Sequence, residues 1–127
     1  MCKSCSHTSK HFLGGLFVIF IILFTIFSSF AAKPDKVAPS APQNLKAVLV
    51  TQNSISLSWE LSKDNVGVQN YNVYQNNSKI GITNTNTYTI TNLNPLQTYK
   101  IYVTAQDKAG NVSKSSNIIS ITTLGET

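Results

Sequence analysis

The sequence predicts an all-β fold, a sandwich or a barrel, preceded by an N-terminal hydrophobic helix. Three observations carry this prediction. After residue 42, apolar and polar residues alternate with a period of two in several short runs, as in strands with one buried face. Turn-forming residues separate these runs at intervals of roughly 10 residues, which is typical of sandwiches and barrels. No stretch after residue 32 shows the period of an amphipathic helix.

The N-terminal segment is long and apolar. Residues 12–32 contain no charged residue, and two lysines precede them without an acid. This order is typical of a secretory signal peptide, and a Ser-Phe-Ala triplet ending at Ala31 offers a cleavage site. About 20 apolar residues also suffice to cross a bilayer, with the basic side cytoplasmic. We therefore predict that residues 1–32 are a signal peptide or an N-terminal membrane anchor. Either way, residues 33–127 are extracytoplasmic.

The only two cysteines, Cys2 and Cys5, precede the apolar segment, so the exported part has no disulfide. With His7 and His11 they make four potential zinc ligands within ten residues. Structural zinc sites usually have a longer spacer between two ligand pairs. We therefore interpret this peptide as an ordinary basic region, with cysteine acylation near the membrane as an alternative.

Residues 33–42 are predicted to be a linker. They include Pro34, Pro39 and Pro42, and proline disfavours helix at its own position and at the one before. The linker should be extended and semi-rigid. The folded domain is predicted to cover residues 43–124.

The strands of this domain are predicted to carry inward residues at alternate positions. In the first run the alternation of apolar and polar residues is interrupted once, which predicts a bulge between Val48 and Val50. The single tryptophan, Trp59, should fill the centre of the small core. In chain order, the predicted inward residues are Leu45, Ala47, Val50, Ile55, Leu57, Trp59, Tyr71, Val73, Tyr88, Ile90, Tyr99, Ile101, Val103, Ala105, Ile119 and Ile121.

Six motifs occur in a recognisable order. They are APQNL at 41–45, SISLSW at 54–59, DNVGV at 64–68, YNVY at 71–74, LNPLQTY at 93–99 and AQDKAGNVS at 105–113. Together they resemble the fibronectin type III domain, in the version found beside catalytic domains in secreted bacterial polysaccharide-degrading enzymes. The resemblance covers about residues 39–124. It implies a seven-stranded immunoglobulin-like sandwich in which strands A, B and E face C, C′, F and G.

The resemblance also implies structural rather than binding roles for five residues. Tyr99 occupies the position of a corner tyrosine, whose hydroxyl bonds to backbone across a loop. The five residues are Trp59, Tyr71, Leu93, Pro95 and Tyr99.

Charge and composition exclude some functions. The chain carries +5, but its ten basic residues are all lysines and are scattered as singletons. Nucleic-acid binding usually needs clustered Lys and Arg, so no nucleic-acid partner is expected. The exported part has no His, Cys or Arg. Its five acids include Asp35 and Glu126 near the termini, and nothing in the sequence supplies a cleft. We therefore predict that it is not an enzyme.

Calcium is an alternative at one end of the sandwich. Asp64 and Asp107 are predicted to approach each other there, because the B–C and F–G loops cluster. With Asn65 and Asn111 they offer the oxygens that calcium prefers. Asp and Asn also bond to the backbone of their own turns, and we favour this interpretation. No metal or cofactor is therefore predicted.

Tyr74 and Tyr102 form the candidate ligand surface. They lie at outward positions of neighbouring strands, where aromatic rings can contact the apolar face of a sugar. Alternatively, they are a cross-strand pair that binds nothing. We predict a monomeric, non-catalytic exported module that spaces or mediates contacts at the cell surface. The alternative is an accessory module of a secreted glycoside hydrolase with weak polysaccharide binding. Expected partners are a polysaccharide or a cell-surface protein, and the membrane if residues 12–32 are retained.

Overall fold

A computed structural model describes residues 31–126. The chain forms two antiparallel sheets, with strand orders β1-β2-β5 and β4-β3-β6-β7. This is the predicted sandwich, with the predicted division of strands between sheets. The strands are β1 (Gln43–Val50), β2 (Ile55–Glu60), β3 (Val68–Gln75), β4 (Ser78–Thr83), β5 (Thr87–Ile90), β6 (Thr98–Asp107) and β7 (Ile119–Thr122).

The predicted N-terminal helix, its cleavage or anchoring, and the Cys and His residues before it lie outside the described residues. Among residues 31–126 there is no helix long and apolar enough to span a membrane.

The core lies between the two sheets and is built from alternate residues of the long strands. Ile55, Leu57 and Trp59 point inward from β2, and β6 contributes four buried residues in a row of alternate positions. Among residues 31–126, twelve apolar residues form this buried core: Leu45, Ile55, Leu57, Trp59, Tyr71, Val73, Ile90, Leu93, Tyr99, Ile101, Val103 and Ala105. The other five predicted inward residues, Ala47, Val50, Tyr88, Ile119 and Ile121, pack against this core while partly exposed. The periodicity therefore identified the core.

Strand β1 contains two irregularities where it pairs with β2. One register shift lies between Ala47 and Leu49 and overlaps the range from Val48 to Val50 where the sequence predicted a bulge. The second lies between Gln43 and Lys46 and was not predicted. Asn44 has a φ of 53° there, in the left-handed region that Asn tolerates better than most residues. Leu45, between Asn44 and Lys46, is buried in the core.

Strand β4 is an edge strand that follows a tight hairpin turn. The turn residues Asn76 and Asn77 have φ angles of 49° and 67°, as two-residue hairpin turns require. Gly81 lies opposite the ring of Tyr88 from the other sheet, and a Cβ at Gly81 would overlap the Tyr88 hydroxyl. Tyr88 therefore closes the sandwich between the two edge strands, and Gly81 leaves it room.

The segment before β1 lies against the sandwich from Asp35 onward. Pro39 and Pro42 are buried, and the chain from Asp35 belongs to the same compact unit as the strands. Ser40 donates its N–H to the Lys63 carbonyl, and the Lys63 N–H donates back to Ser40 Oγ, both at 2.8 Å. The predicted linker therefore places Asp35 beside the β2–β3 loop.

The connection from β6 to β7 continues the sheet with side chains. Ser113 Oγ accepts the N–H of Ala105 at 2.8 Å, and Ser116 Oγ accepts the N–H of Val103 at 3.0 Å. Asn117 then accepts from the Leu45 N–H and donates to the Leu45 carbonyl. This connection therefore binds β6 and links it to β1 in the other sheet.

Candidate functional site

Tyr74 and Tyr102 lie directly opposite each other on β3 and β6. Their ring centroids are 4.7 Å apart and the ring planes differ by 9°, so the rings are stacked. Both side chains are half-buried. Each ring uses one face for its partner, which leaves the ring edges, the hydroxyls and the outer faces for contact with a ligand. This arrangement is a narrow apolar ridge rather than a flat platform.

Polar residues and one exposed apolar residue lie on the strands that flank this ridge. Lys79 on β4 is the cross-strand neighbour of Tyr74, and Ile82, also on β4, is paired with Asn72 and is exposed. Asn72 is paired with Thr104 and is buried, and its amide donates to Gln106 Oε1 at 3.4 Å. A hydroxyl-rich ligand with small apolar faces suits such a surface better than a purely apolar one.

Trp59 and Tyr71 meet edge to face inside the core. Their ring centroids are 5.4 Å apart at an interplanar angle of 66°. The Tyr71 hydroxyl accepts the N–H of Ser62 at 2.9 Å, so it anchors the start of the β2–β3 loop. The Trp59 Nε1 is buried and donates to no described residue. Both side chains face the core rather than the surface.

The other three residues given structural roles lie in the turn between β5 and β6 and at the start of β6. The Tyr99 hydroxyl accepts the N–H of Asn94 at 3.0 Å, five residues earlier, which is the geometry of a tyrosine corner. Leu93 is buried beneath the turn, whereas Pro95 is exposed. Leu96 follows with a φ of 56°, so this turn holds a bulky residue in the left-handed region.

Three acids meet at the opposite end of the sandwich. One carboxylate oxygen from each of Asp35, Asp64 and Asp107 lies within 4.8 Å of the others. The sequence predicted the approach of Asp64 and Asp107 but set Asp35 aside as a terminal residue. Asp35 reaches the cluster because Pro39 and Pro42, which follow it, are buried against the sandwich, and no local sequence signal marks this contact. We refer to these three residues as the acidic cluster.

Asp107 is the most buried member of the acidic cluster, with 1% of its surface exposed, and burial acts to raise its pKa. Hydrogen bonds act in the opposite direction. The Asn111 side chain and backbone N–H donate at 2.7 and 2.9 Å, and backbone N–H groups of Ala109 and Gly110 add to them. The hydrogen bonds prevail and the pKa of Asp107 lies below its usual value. Asp107 is therefore ionised at neutral pH.

Two shallow depressions lie on the described surface. One lies between the β1–β2 turn and Leu124, and the other runs along β5 past Tyr88. Neither is lined by the tyrosine pair or by an acid. The tyrosine pair and the acidic cluster thus lie apart from these two depressions.

Comparison with known proteins identifies the family. Residues 40–122 match the family model described as "Fibronectin type III domain". The chain belongs to the fibronectin type III family. The sequence resemblance and its predicted fold are therefore confirmed.

Among curated proteins, this fibronectin type III chain is similar to parts of larger enzymes. It is 44% identical over 90 residues to "Chitinase Chi52" of Paenibacillus xylanexedens, covering 71% of this chain and 17% of that protein. It is 42% identical over 92 residues to "Exoglucanase B" of Cellulomonas fimi, covering 71% and 8%. The chain thus spans less than a fifth of the length of these relatives.

Two solved structures are also similar to this chain. "Chitinase ChiA74 from Bacillus thuringiensis" aligns with a TM-score of 0.69 at 33% identity, over 74% of this chain and 15% of that one. A human fibronectin type III domain aligns with a TM-score of 0.64 at 20% identity, over 75% of this chain and 94% of that one. The second likeness concerns the fold alone.

Proposed function

We propose that this domain is a non-catalytic accessory module of an exported carbohydrate-degrading system, in which it acts as a stiff spacer. The similarity to segments of chitinases and an exoglucanase supports the association with carbohydrate degradation. Export rests on the apolar segment 12–32, with a signal peptide and an anchor as the two alternatives.

One observation carries the spacer role: the chain approaches and leaves the sandwich at opposite ends. Asp35 lies with Asp64 beside the loops after β2 and β6. Leu124 lies at the other end, where its N–H donates to the Thr51 carbonyl in the β1–β2 turn. Ten extended residues such as those of β6 span about 33 Å. Whatever the chain joins is therefore separated by about the length of the sandwich.

The acidic cluster does not suit glycoside hydrolysis. Retaining glycosidases place two carboxyl groups about 5 Å apart and raise the pKa of the one that acts as an acid. The acidic cluster has a comparable spacing, but the pKa of Asp107 is lowered. Backbone N–H groups of Val66 and Gly67 hold the Asp64 carboxylate to its own loop. These features favour a structural role for the acids.

The spacer role predicts one narrow end-to-end distance. We expect dyes on Lys36→Cys and Leu124→Cys, with Cys2 and Cys5 changed to serine, to report a single distance on the order of 30–40 Å. Single-molecule energy transfer measures both the distance and its spread. A Gly/Ser segment of equal length in place of residues 43–123 should give a broad distribution. A broad distribution from the folded chain, or ends that lie close together, would contradict the spacer role.

A second function is favoured by the stacked tyrosines: weak contact with an insoluble polysaccharide. Each ring keeps one face and an edge free of its partner, and sugars stack their apolar faces on such rings. Lys79, exposed on the neighbouring strand β4, supplies a polar group beside Tyr74. Because the ridge is narrow, the affinity of this domain for a polysaccharide should be low. Binding would be strengthened when other modules of the same protein hold the same substrate.

Replacing Tyr74 and Tyr102 together with alanine should lower the retention of the full chain on insoluble chitin at least tenfold, on the order of 1.4 kcal/mol. The full chain in mild detergent is mixed with chitin and the bound fraction is quantified. As a matched control, Leu96→Ala with Leu124→Ala removes exposed apolar surface outside the tyrosine pair and should leave retention unchanged. If the unmodified chain is not retained, or if the leucine variant loses equally, the tyrosines bind no polysaccharide and the spacer role alone remains.

A further inference from the structure

The acidic cluster joins three segments that are far apart in the sequence. Asp35 precedes β1, Asp64 lies in the β2–β3 loop and Asp107 ends β6. Asp107 is buried, and the other two side chains are half-buried. Like charges at such distances repel unless something compensates them. The negative charges of the three carboxylates therefore need compensation.

Hydrogen bonds hold each carboxylate in place. Asp35 Oδ1 accepts the N–H of Val37 at 3.0 Å. Asp64 Oδ2 accepts the N–H groups of Val66 and Gly67 at 3.0 and 2.8 Å. The Asn111 amide donates to Asp107 Oδ2 and, at 3.2 Å, to the Asp35 carbonyl, so it ties two of the segments together. Apart from the bond between Asn111 and the Asp35 carbonyl, these are the turn interactions that the sequence favoured, and they orient all three groups.

The turn interactions leave two oxygens unexplained. Asp35 Oδ2 and Asp64 Oδ1 are both buried from solvent, and neither accepts a hydrogen bond from any described residue, including the lysines. A buried ionised oxygen is costly unless it is paired or coordinates a metal. Two such oxygens on adjacent carboxylates, whose other oxygens are already held, are what a cation site requires. This observation is independent of the clustering itself.

We infer that the acidic cluster binds one Ca²⁺ ion, which fastens the segment before β1 to the loops after β2 and β6. Calcium bonds to oxygens at 2.3–2.6 Å, so oxygens around one ion lie at most about 4.6–5.2 Å apart, and the 4.8 Å limit of the cluster fits this range. Magnesium needs near-ideal octahedral geometry and usually takes only one or two carboxylates. Zinc prefers nitrogen and sulfur ligands, which the cluster lacks. Water completes the calcium shell on the half-open side.

The ion has a consequence for the chain before the domain. Without it, the Asp35 segment is held by the buried prolines, the Ser40–Lys63 bonds and the Asn111 amide. With it, Asp35 is also bound to two loops of the sandwich. Calcium therefore stiffens the point where the chain reaches the domain, and it does so whether or not the tyrosine pair binds a polysaccharide.

The test uses Ca²⁺ alone as the probe, on the full chain in mild detergent. Calcium sites of extracellular modules have dissociation constants of about 10⁻⁴–10⁻³ M. At about 100-fold excess over the tighter value, the melting temperature should rise by on the order of 10 °C relative to the protein in chelator. Calorimetric titration should give one ion per chain. No heat of binding and no shift at this concentration would overturn the proposal, and so would an equal shift with Mg²⁺.

Matched variants separate the site from general charge effects. Asp35→Asn keeps the side-chain shape, lies outside the strands and should abolish the calcium shift. Glu126→Gln removes the same charge from an exposed residue after β7 and should keep the full shift. Loss of the shift in both variants, or in neither, would contradict the assignment. Asp107→Asn is less informative because Asp107 also organises its own turn.

A proteolysis readout tests the fastening directly. Lys36 is exposed and follows Asp35, so endoproteinase Lys-C cleaves after it whenever the segment lifts away. We expect calcium to slow this cleavage at least tenfold in the unmodified chain and in Glu126→Gln, but not in Asp35→Asn. Mass spectrometry identifies the cut. Equal cleavage rates with calcium and with chelator would show that no ion fastens this segment.

Discussion

Replacing Trp59 with alanine should lower the free energy of unfolding by about 3–5 kcal/mol, as is typical of large aromatic-to-alanine changes in cores. Trp59 is 3% exposed and packs edge to face against Tyr71. A domain of about 90 residues has about 5–14 kcal/mol of stability in total, so this single change removes much of it. Urea unfolding followed by circular dichroism measures the loss as a lower midpoint.

The phenylalanine variant at Trp59 separates packing from hydrogen bonding. The indole Nε1 is buried and has no acceptor among the described residues, so the polar group contributes nothing that Phe would lose. Trp59→Phe should therefore cost clearly less than Trp59→Ala, because it keeps a ring against Tyr71 and removes an unpaired donor. If both variants are destabilised equally, the indole N–H is bonded in solution and the packing explanation is wrong.

The core was predictable because it depends on local alternation. A strand with one buried face must place apolar residues at every second position, so Ile55, Leu57 and Trp59 identify β2 from sequence alone. On β6 the same alternation runs from Tyr99 to Ala105. The division into two sheets came instead from the family resemblance, since alternation does not say which strands are neighbours.

The features that alternation misses are those held by single contacts. Strand β4 is mostly exposed, so it has no inward pattern, and only the resemblance implied it. The shift between Gln43 and Lys46 depends on Asn44 adopting a positive φ, which its sequence neighbours do not reveal. Asp35 reaches the acidic cluster because Pro39, further along the chain, is buried. Each of these depends on contacts between distant parts of the chain.

The tyrosine pair was half predictable. Tyr74 and Tyr102 occupy outward positions of neighbouring strands, so the sequence placed them on one outer face of the sheet. The observed register pairs them directly. Whether two such rings lie flat as a platform or stack depends on side-chain rotamers, which the sequence does not specify. The observed stack reduces the accessible ring area, and this is why the expected polysaccharide affinity is low.

The largest effect expected outside the core comes from two serines. Ser113→Ala and Ser116→Ala should each cost about 1–3 kcal/mol, because each leaves a buried backbone N–H of β6 without its acceptor. Ser116 Oγ accepts from Val103, and the Ser116 N–H donates to the Val103 carbonyl at 2.8 Å. Ser113 pairs with Ala105 in the same way. Thermal or urea unfolding measures each loss, and the double variant should lose more than either single one.

Ser115→Ala is the matched control, because Ser115 lies in the same segment with an exposed side chain and should change stability by no more than about 0.5 kcal/mol. Amide hydrogen exchange gives a residue-level readout. The Val103 amide should exchange faster in Ser116→Ala, and the Ala105 amide faster in Ser113→Ala. Each serine bonds to both backbone groups of one β6 residue. The segment after β6 can therefore leave the sheet and turn toward Asn117 and Leu45 without leaving these groups unpaired. If all three variants match, water replaces the hydroxyls and β6 does not depend on them.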